Sequence, residues 1–232
     1  EETARRAKFI YINYPNNPTG AVATKAFYEK LVAWAKTYEV GVVSDLAYGA
    51  LGYRGYENPS FLSTPGAKDV GIEFYTFSKT FNMAGWRLAF AAGNDQMIEA
   101  LNLIQDHLFV GIFPALQEAG IAALIDPKSE EAVAQLNVTY DSRRDAFVQA
   151  AAKIGWKAFP SKGSFYAWMP VPEGYTSESF ADLLLEKAHV AVAPGKGFGS
   201  AGDAYVRIGL LVEPERLVEA VDRIADLQLF NN

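Results

Sequence analysis

Cysteine is absent from the 232 residues, so neither a disulfide framework nor thiolate chemistry is open to this chain. Histidine is nearly absent. His107 and His189 stand far apart with no cluster of ligand residues around either, which argues against a zinc site and leaves both as polar residues of helices or loops. No apolar run approaches the roughly 20 residues that span a bilayer, and the opening Glu-Glu-Thr-Ala-Arg-Arg lacks the apolar core of a secretory leader. Positive charge is also short. A net charge of −6 without a Lys/Arg stripe argues against nucleic acid or a membrane surface as the main partner. There is no internal repeat and no low-complexity segment. These absences fit a cytoplasmic enzyme.

What is present is an ordinary globular composition, 50% hydrophobic and 21% charged, enough to bury a core in one large or two small domains. Lys8–Asn13 reads as a short buried strand followed by the turn-rich Asn13-Tyr-Pro-Asn-Asn-Pro-Thr-Gly20. Thr24 can cap a helix over 25–39, with Phe27, Leu31, Trp34 and Ala35 on one face. Further strands are expected at 40–45, 71–78 and 87–92. The stretch 96–125 reads as helical with a break near 111–114, and 129–154 as a long helix on which Arg143, Arg144 and Asp145 look solvated. Beyond it, strands are expected at 156–160, 164–169, 190–193 and 205–210, with helices over 177–188 and from Pro214. Strand–helix–strand order with apolar strands implies parallel pairing with helices on the faces. The chemistry of such sheets collects beyond the carboxyl ends of the strands, where Asn17, Asp45 and Lys79 stand.

One stretch concentrates chemistry. In Glu73–Gly93 an apolar run ends in Thr76, Phe77, Ser78 and Lys79, and Arg87 opens the next apolar run. A lysine at the mouth of a sheet, flanked by hydroxyls and followed by a guanidinium, suits an amine that forms a Schiff base with a phosphorylated aldehyde. A surface lysine with Arg87 in an ordinary ion pair would carry the same letters.

In order along the chain stand Asn17-Pro18-Thr19-Gly20, Ser44-Asp45-Leu46-Ala47-Tyr48, Thr76-Phe77-Ser78-Lys79, Gly85-Trp86-Arg87 and Tyr205-Val206-Arg207-Ile208. With these segments the chain resembles the fold-type-I, class I/II aminotransferases that use pyridoxal 5'-phosphate, over residues 9–230. The resemblance implies an α/β fold: part of the cofactor-binding large domain over residues 1–128, a mostly parallel sheet with helices on both faces, then an α+β small domain over 129–232. It implies Lys79 as the amine bonded to the coenzyme and as the proton carrier, Asp45 at the pyridine nitrogen, and Asn17 and Tyr48 at the ring oxygen. Thr76, Ser78 and Arg87 would hold the phosphate, and Arg207, with Asn17, the substrate carboxylate. A cis peptide is implied at Asn17–Pro18, and Gly20 reads as a turn residue. For Phe165 and Tyr166, core packing and substrate contact stay open.

The implied reaction moves an amino group between an amino acid and a 2-oxo acid in a homodimer. The wording of several segments is similar to the methionine-salvage branch of the family, which implies 4-methylsulfanyl-2-oxobutanoate as acceptor. A carbon–sulfur β-lyase using the same lysine and aspartate, and a non-catalytic aminotransferase-like piece, remain alternatives. The family's phosphate loop and ring-stacking aromatic precede its Asn-Pro-Thr-Gly motif, so the chain is expected to be the carboxy-terminal part of a longer enzyme.

Overall fold

The computed structural model describes residues 1–159 and 161–230, and it separates into two compact units: Glu1–Pro15 with Val22–Gln135, and Asn16–Ala21 with Leu136–Asn232. The first unit runs α1 (Glu2–Arg6), β1 (Phe9–Asn13), α2 (Lys25–Tyr38), β2 (Gly41–Asp45), α3 (Ala67–Val70), β3 (Gly71–Thr76), α4 (Phe77–Thr80), β4 (Ala89–Gly93), α5 (Asp95–Leu108) and α6 (Pro114–Ile125). Its sheet has the order β1-β2-β3-β4. The β1–β2 and β2–β3 pairs are parallel, as the strand–helix–strand order predicts, but β4 runs antiparallel to β3 with Thr76 opposite Ala89. The connection Phe77–Leu88 carries only the one-turn α4 and a 3₁₀ turn at Ala84–Trp86, too little to cross back over the sheet as a parallel pair requires.

Helix α2 begins where the sequence places it. Thr24 accepts the Phe27 amide at 3.1 Å. Its buried stripe is Tyr28, Leu31, Val32 and Ala35, packed with Ile10, Ile12 and Phe61. Phe27 is exposed and Trp34 lies at the margin, so the expected face is rotated slightly. Beneath the sheet's functional end sits a polar knot that the sequence reading passed over. Glu73, 5% exposed, accepts Ser44 Oγ at 2.9 Å, the Phe61 amide at 2.8 Å and Ser60 Oγ at 2.5 Å. The nearby Tyr28 hydroxyl is pushed up from its usual range, first by burial and then by the Glu73 charge. The carboxylate thus ties β2 and β3 to the end of the long loop after Asp45. Glu73→Ala would strand three donors. We expect it to cost about 3 kcal/mol in urea unfolding, and Glu73→Gln, which can still accept the Phe61 amide, about 1 kcal/mol.

In the second unit α7 (Ser129–Lys153), which runs across the division after residue 135, leads to β5 (Tyr166–Pro170), α8 (Ser177–Leu183), β6 (Ala193–Pro194), β7 (Tyr205–Gly209) and α9 (Pro214–Ala225). The sheet order is β5-β7-β6, antiparallel throughout. Its core joins Phe147, Trp156, Phe180, Leu184, Val221 and Ile224, with the Trp156 indole donating to Pro170 O at 2.7 Å. Three expectations are corrected. Residues 156–159 form no strand, and Pro160 lies outside the described residues. The helix expected over 177–188 is α-helical only to Leu183 and closes with a π turn over Leu184–Ala188. Arg143 and Arg144 are not solvated: their side chains are 15% and 16% exposed and pair with Glu213 at 2.6 Å and Asp145 at 2.5 Å.

Candidate active site

The first unit gathers Asp45, Tyr48, Thr76, Ser78, Lys79 and Arg87 on the segments that leave β2 and β3 and enter β4. Asp45 is the last residue of β2. Its carbonyl accepts Asn13 Nδ2 at 3.1 Å, and the next amide, of Leu46, donates to Phe74 O at 2.9 Å, so the chain leaves β2 tied to both neighbouring strands. The carboxylate accepts the Ala47 amide at 3.1 Å. Asp45 is exposed at the sheet end, yet enough protein surrounds the carboxyl that desolvation raises it above the usual carboxylate range, with the Ala47 bond acting the other way. Among the described residues it makes no ion pair.

Tyr48 is buried, 4% exposed, in a loop whose carbonyls at Gly49 and Leu51 accept Asn58 Nδ2 at 3.1 and 3.2 Å. Lys79 is half-buried on the single turn of α4, and its Nζ lies 6.0 Å from the centre of the Tyr48 ring. That turn starts because the Thr76 hydroxyl accepts the Ser78 amide at 3.2 Å; the same hydroxyl donates to Ser78 Oγ at 3.0 Å. The Phe77 amide donates to Leu88 O at 3.2 Å, which lays the residue after Arg87 alongside the Thr76–Phe77 corner. Arg87 itself takes a left-handed conformation, φ 55°, with Nη1 donating to Ala84 O at 2.9 Å, and it is exposed.

The second unit brings together Asn17 and Arg207, 190 positions apart in sequence. Asn17–Pro18 is cis, as the resemblance implies; Tyr14–Pro15 is cis as well. Asn16 closes the Asn-Pro-Thr-Gly turn, its side-chain oxygen accepting Thr19 Oγ1 at 2.8 Å and its carbonyl the Gly20 amide at 2.8 Å. Gly20 has φ +68° and packs so tightly that a Cβ would stand 2.4 Å from Ser161 Cβ, the demand of a turn residue. Its carbonyl accepts the Lys162 amide at 3.0 Å. The turn so pinned presents Asn17 Oδ1 to Arg207 Nη1 at 2.7 Å. Arg207 projects from β7 with its guanidinium carbon 4.2 Å from the centre of the Tyr166 ring and 4.7 Å from that of Phe198. Phe165 and Tyr166 are both buried. Phe165 stacks on Tyr140 at 5.3 Å, which is core packing, whereas Tyr166 is the ring beneath Arg207.

Sequence reasoning missed Phe198. The only signal was its place in the glycine-rich Gly195–Gly202 run, which reads as a plain loop.

The family described as aminotransferase class I and II matches residues 1–224. L-Glutamine–4-(methylsulfanyl)-2-oxobutanoate aminotransferase of Bacillus subtilis strain 168 is 57% identical over 99% of this chain and 57% of its own length. LL-Diaminopimelate aminotransferase of Moorella thermoacetica is 49% identical over 96% of this chain and 57% of its own. Among solved structures, substrate-bound BacF of Bacillus subtilis superposes with a TM-score of 0.93 at 48% identity, covering 98% of this chain and 58% of that one. The chain therefore spans a little over half the length of the curated relatives it matches. With five ordered segments and a family match over nearly its whole length, this chain belongs to the class I and II aminotransferases.

Proposed function

We propose that the complete protein carrying this chain is a pyridoxal-phosphate-dependent aminotransferase that moves an amino group from an amino acid to a 2-oxo acid, with 4-methylsulfanyl-2-oxobutanoate as acceptor and methionine as product. Residues 1–128 are its share of the cofactor-binding domain and residues 129–232 its small domain. It works as a cytoplasmic homodimer. The observation that carries the reading is the Lys79 amine on its one-turn helix, 6.0 Å from the buried Tyr48 ring, in a chain of this family. The acceptor rests on the 57% identity to the Bacillus subtilis enzyme.

The donor set fits the coenzyme. Asp45 is a partly desolvated carboxylate with no cation beside it among the described residues, the partner that a protonated ring nitrogen needs. The Thr76 and Ser78 hydroxyls and the Ser78 amide cluster within 3.2 Å of one another, and Arg87 follows on the adjoining segment, a set suited to phosphate oxygens. Pyridoxal phosphate, when bound, supplies an electron sink for negative charge at the substrate α-carbon. The chain does the rest. Lys79 Nζ would be the amine that bonds the coenzyme aldehyde carbon, its oxygen leaving as water, and, once displaced by the substrate amine, the base that moves the α-proton. Asp45 would keep the ring nitrogen positively charged. In the first unit Tyr48 would donate to the ring oxygen; in the second, Asn17 is a further donor of that kind, and Arg207, steadied by Asn17, would receive the substrate carboxylate.

Complete protein mixed with L-glutamine, pyridoxal phosphate and 4-methylsulfanyl-2-oxobutanoate should form methionine. Ammonia and pyruvate released from a cysteine thioether, with no methionine from the first mixture, would instead mark a lyase, and no turnover of either would mark a non-catalytic relative. Sedimentation of active enzyme as a monomer would contradict the dimer. Arg87→Ala should weaken pyridoxal phosphate binding about 30-fold in an absorbance titration, the worth of one charge-assisted pair of about 2 kcal/mol.

A further inference from the structure

We propose that Asp203 is a positioning residue for the carboxylate anchor: by clasping the buried Ser177 it holds the loop Gly195–Ala204 so that the Phe198 ring covers the Arg207 guanidinium. This rests on the reading of Arg207 as the group that receives the substrate carboxylate.

The loop consists of two 3₁₀ turns, Gly195–Phe198 and Ser200–Ala204. Short 3₁₀ turns have few internal hydrogen bonds and need outside support. Lys196 Nζ pairs with Glu178 at 2.6 Å and the Ala204 carbonyl accepts the Val171 amide at 2.9 Å, but the buried support converges on one residue. Ser177, 0% exposed at the start of α8, donates its hydroxyl to Asp203 Oδ1 at 2.7 Å, and its amide donates to the same oxygen at 3.2 Å. The hydroxyl oxygen in turn accepts the Lys196 amide at 3.2 Å. One buried serine therefore fastens both ends of the loop. The turns also press backbone to backbone: a Cβ on Gly195 would meet Gly202 O at 2.1 Å. From this clasp Phe198 reaches edge-on to Trp168, centres 6.0 Å apart, and lies 4.7 Å from the Arg207 guanidinium carbon.

With Tyr166 at 4.2 Å as the second ring and Nη1 engaged by Asn17, the guanidinium has its plane and one corner fixed before any ligand arrives. Rings beside a guanidinium displace water and strengthen its remaining hydrogen bonds, and a fixed plane favours two parallel bonds to a carboxylate. A loop released from Ser177 gives up the Phe198 contact and with it that preorganisation.

The test uses the complete, cofactor-loaded protein with L-glutamine and 4-methylsulfanyl-2-oxobutanoate. Asp203→Ala should raise KM for both substrates by about tenfold, because both carry the same carboxylate, and leave kcat within about twofold. Asp203→Asn keeps an oxygen that can accept both Ser177 bonds and should restore KM. Amide hydrogen exchange over 195–204 should quicken in Asp203→Ala and be normal in Asp203→Asn, with β5 and β7 unchanged. In a Phe198→Leu background, Asp203→Ala should add no further rise in KM. Unchanged KM in Asp203→Ala, a fall in kcat alone, or effects that multiply in the double variant would overturn the proposal. Should Asp203→Ala not fold, Phe198→Leu decides it: a raised KM for both substrates supports the clasp's purpose and an unchanged KM refutes it. Arg207→Ala separates the two layers. If it leaves KM unchanged, the anchor reading fails; if it raises KM while Asp203→Ala does not, only the present inference fails.

Discussion

Lys79→Ala is expected to abolish covalent attachment of pyridoxal phosphate, so that borohydride treatment leaves the coenzyme removable by dialysis, and to lower transamination by about 10⁴-fold, the upper end for removal of a general acid–base group. The argument starts from position. Lys79 sits on a single helical turn begun by the Thr76 cap, at the carboxyl end of β3, and its side chain is half-buried against Tyr48. An amine so held is presented to a bound aldehyde instead of sweeping through solvent, and orientation of that kind is a large share of catalytic power. Lys79→Arg separates charge from nucleophilicity. It keeps a cation near the Tyr48 ring but does not lose a proton near neutral pH. It should therefore retain coenzyme binding better than the alanine variant and remain as inactive. A reducible linkage that persists in Lys79→Ala, or activity within tenfold of wild type, would remove this lysine from the chemistry.

How much of this was legible in the letters depended on distance along the chain. Helix α2 was readable because its signals are local, a threonine cap and apolar residues at helical spacing, and only its buried face was off, since packing against Ile10 and Ile12 and not periodicity decides which of Phe27 and Tyr28 turns inward. The direction of β4 was not readable, because an apolar run looks the same in either sense; what decides is the length of the connection behind it. Arg143 looked solvated because its partner, Glu213, lies 70 positions away, and a charge with a distant partner carries no local mark. The same blindness hid Glu73 and Asp203. Each is a single acidic letter, Glu73 inside an apolar run and Asp203 in a small-residue loop, and only the fold shows Glu73 beneath Ser60 and Asp203 against Ser177.

The ordered segments, by contrast, are short and local: four of them lie beside the ends of β1 to β4 and the fifth, Tyr205–Ile208, within β7. The Asn17–Arg207 bond shows where local reading stops. Both residues were picked from sequence, but their direct contact at 2.7 Å comes from the turn pinned through Gly20 to Lys162.

Asp45→Asn is expected to lower kcat by about 10³-fold, the scale on which removing one preorganised electrostatic partner acts in an enclosed site. The substitution is nearly isosteric, and an asparagine oxygen can still accept the Ala47 amide that now meets Asp45 Oδ1 at 3.1 Å, so the corner after β2 should survive. What goes is the negative charge. A ring nitrogen facing a neutral amide has no reason to stay protonated at neutral pH, and without that positive charge the coenzyme draws electrons less strongly from the substrate α-carbon. Stability should move the other way. Desolvation raises the Asp45 carboxyl above its usual range in the folded, ligand-free protein, so the fold favours the protonated form; the penalty is absent at low pH and grows as pH rises through the folded-state value. At neutral pH the cofactor-free Asp45→Asn protein should therefore be no less stable than wild type, by thermal or urea unfolding, while the loaded enzyme is nearly inactive across the whole accessible pH range. Loss of stability in step with activity would make Asp45 a structural cap of the β2 corner, and activity within tenfold of wild type would place the ring nitrogen elsewhere.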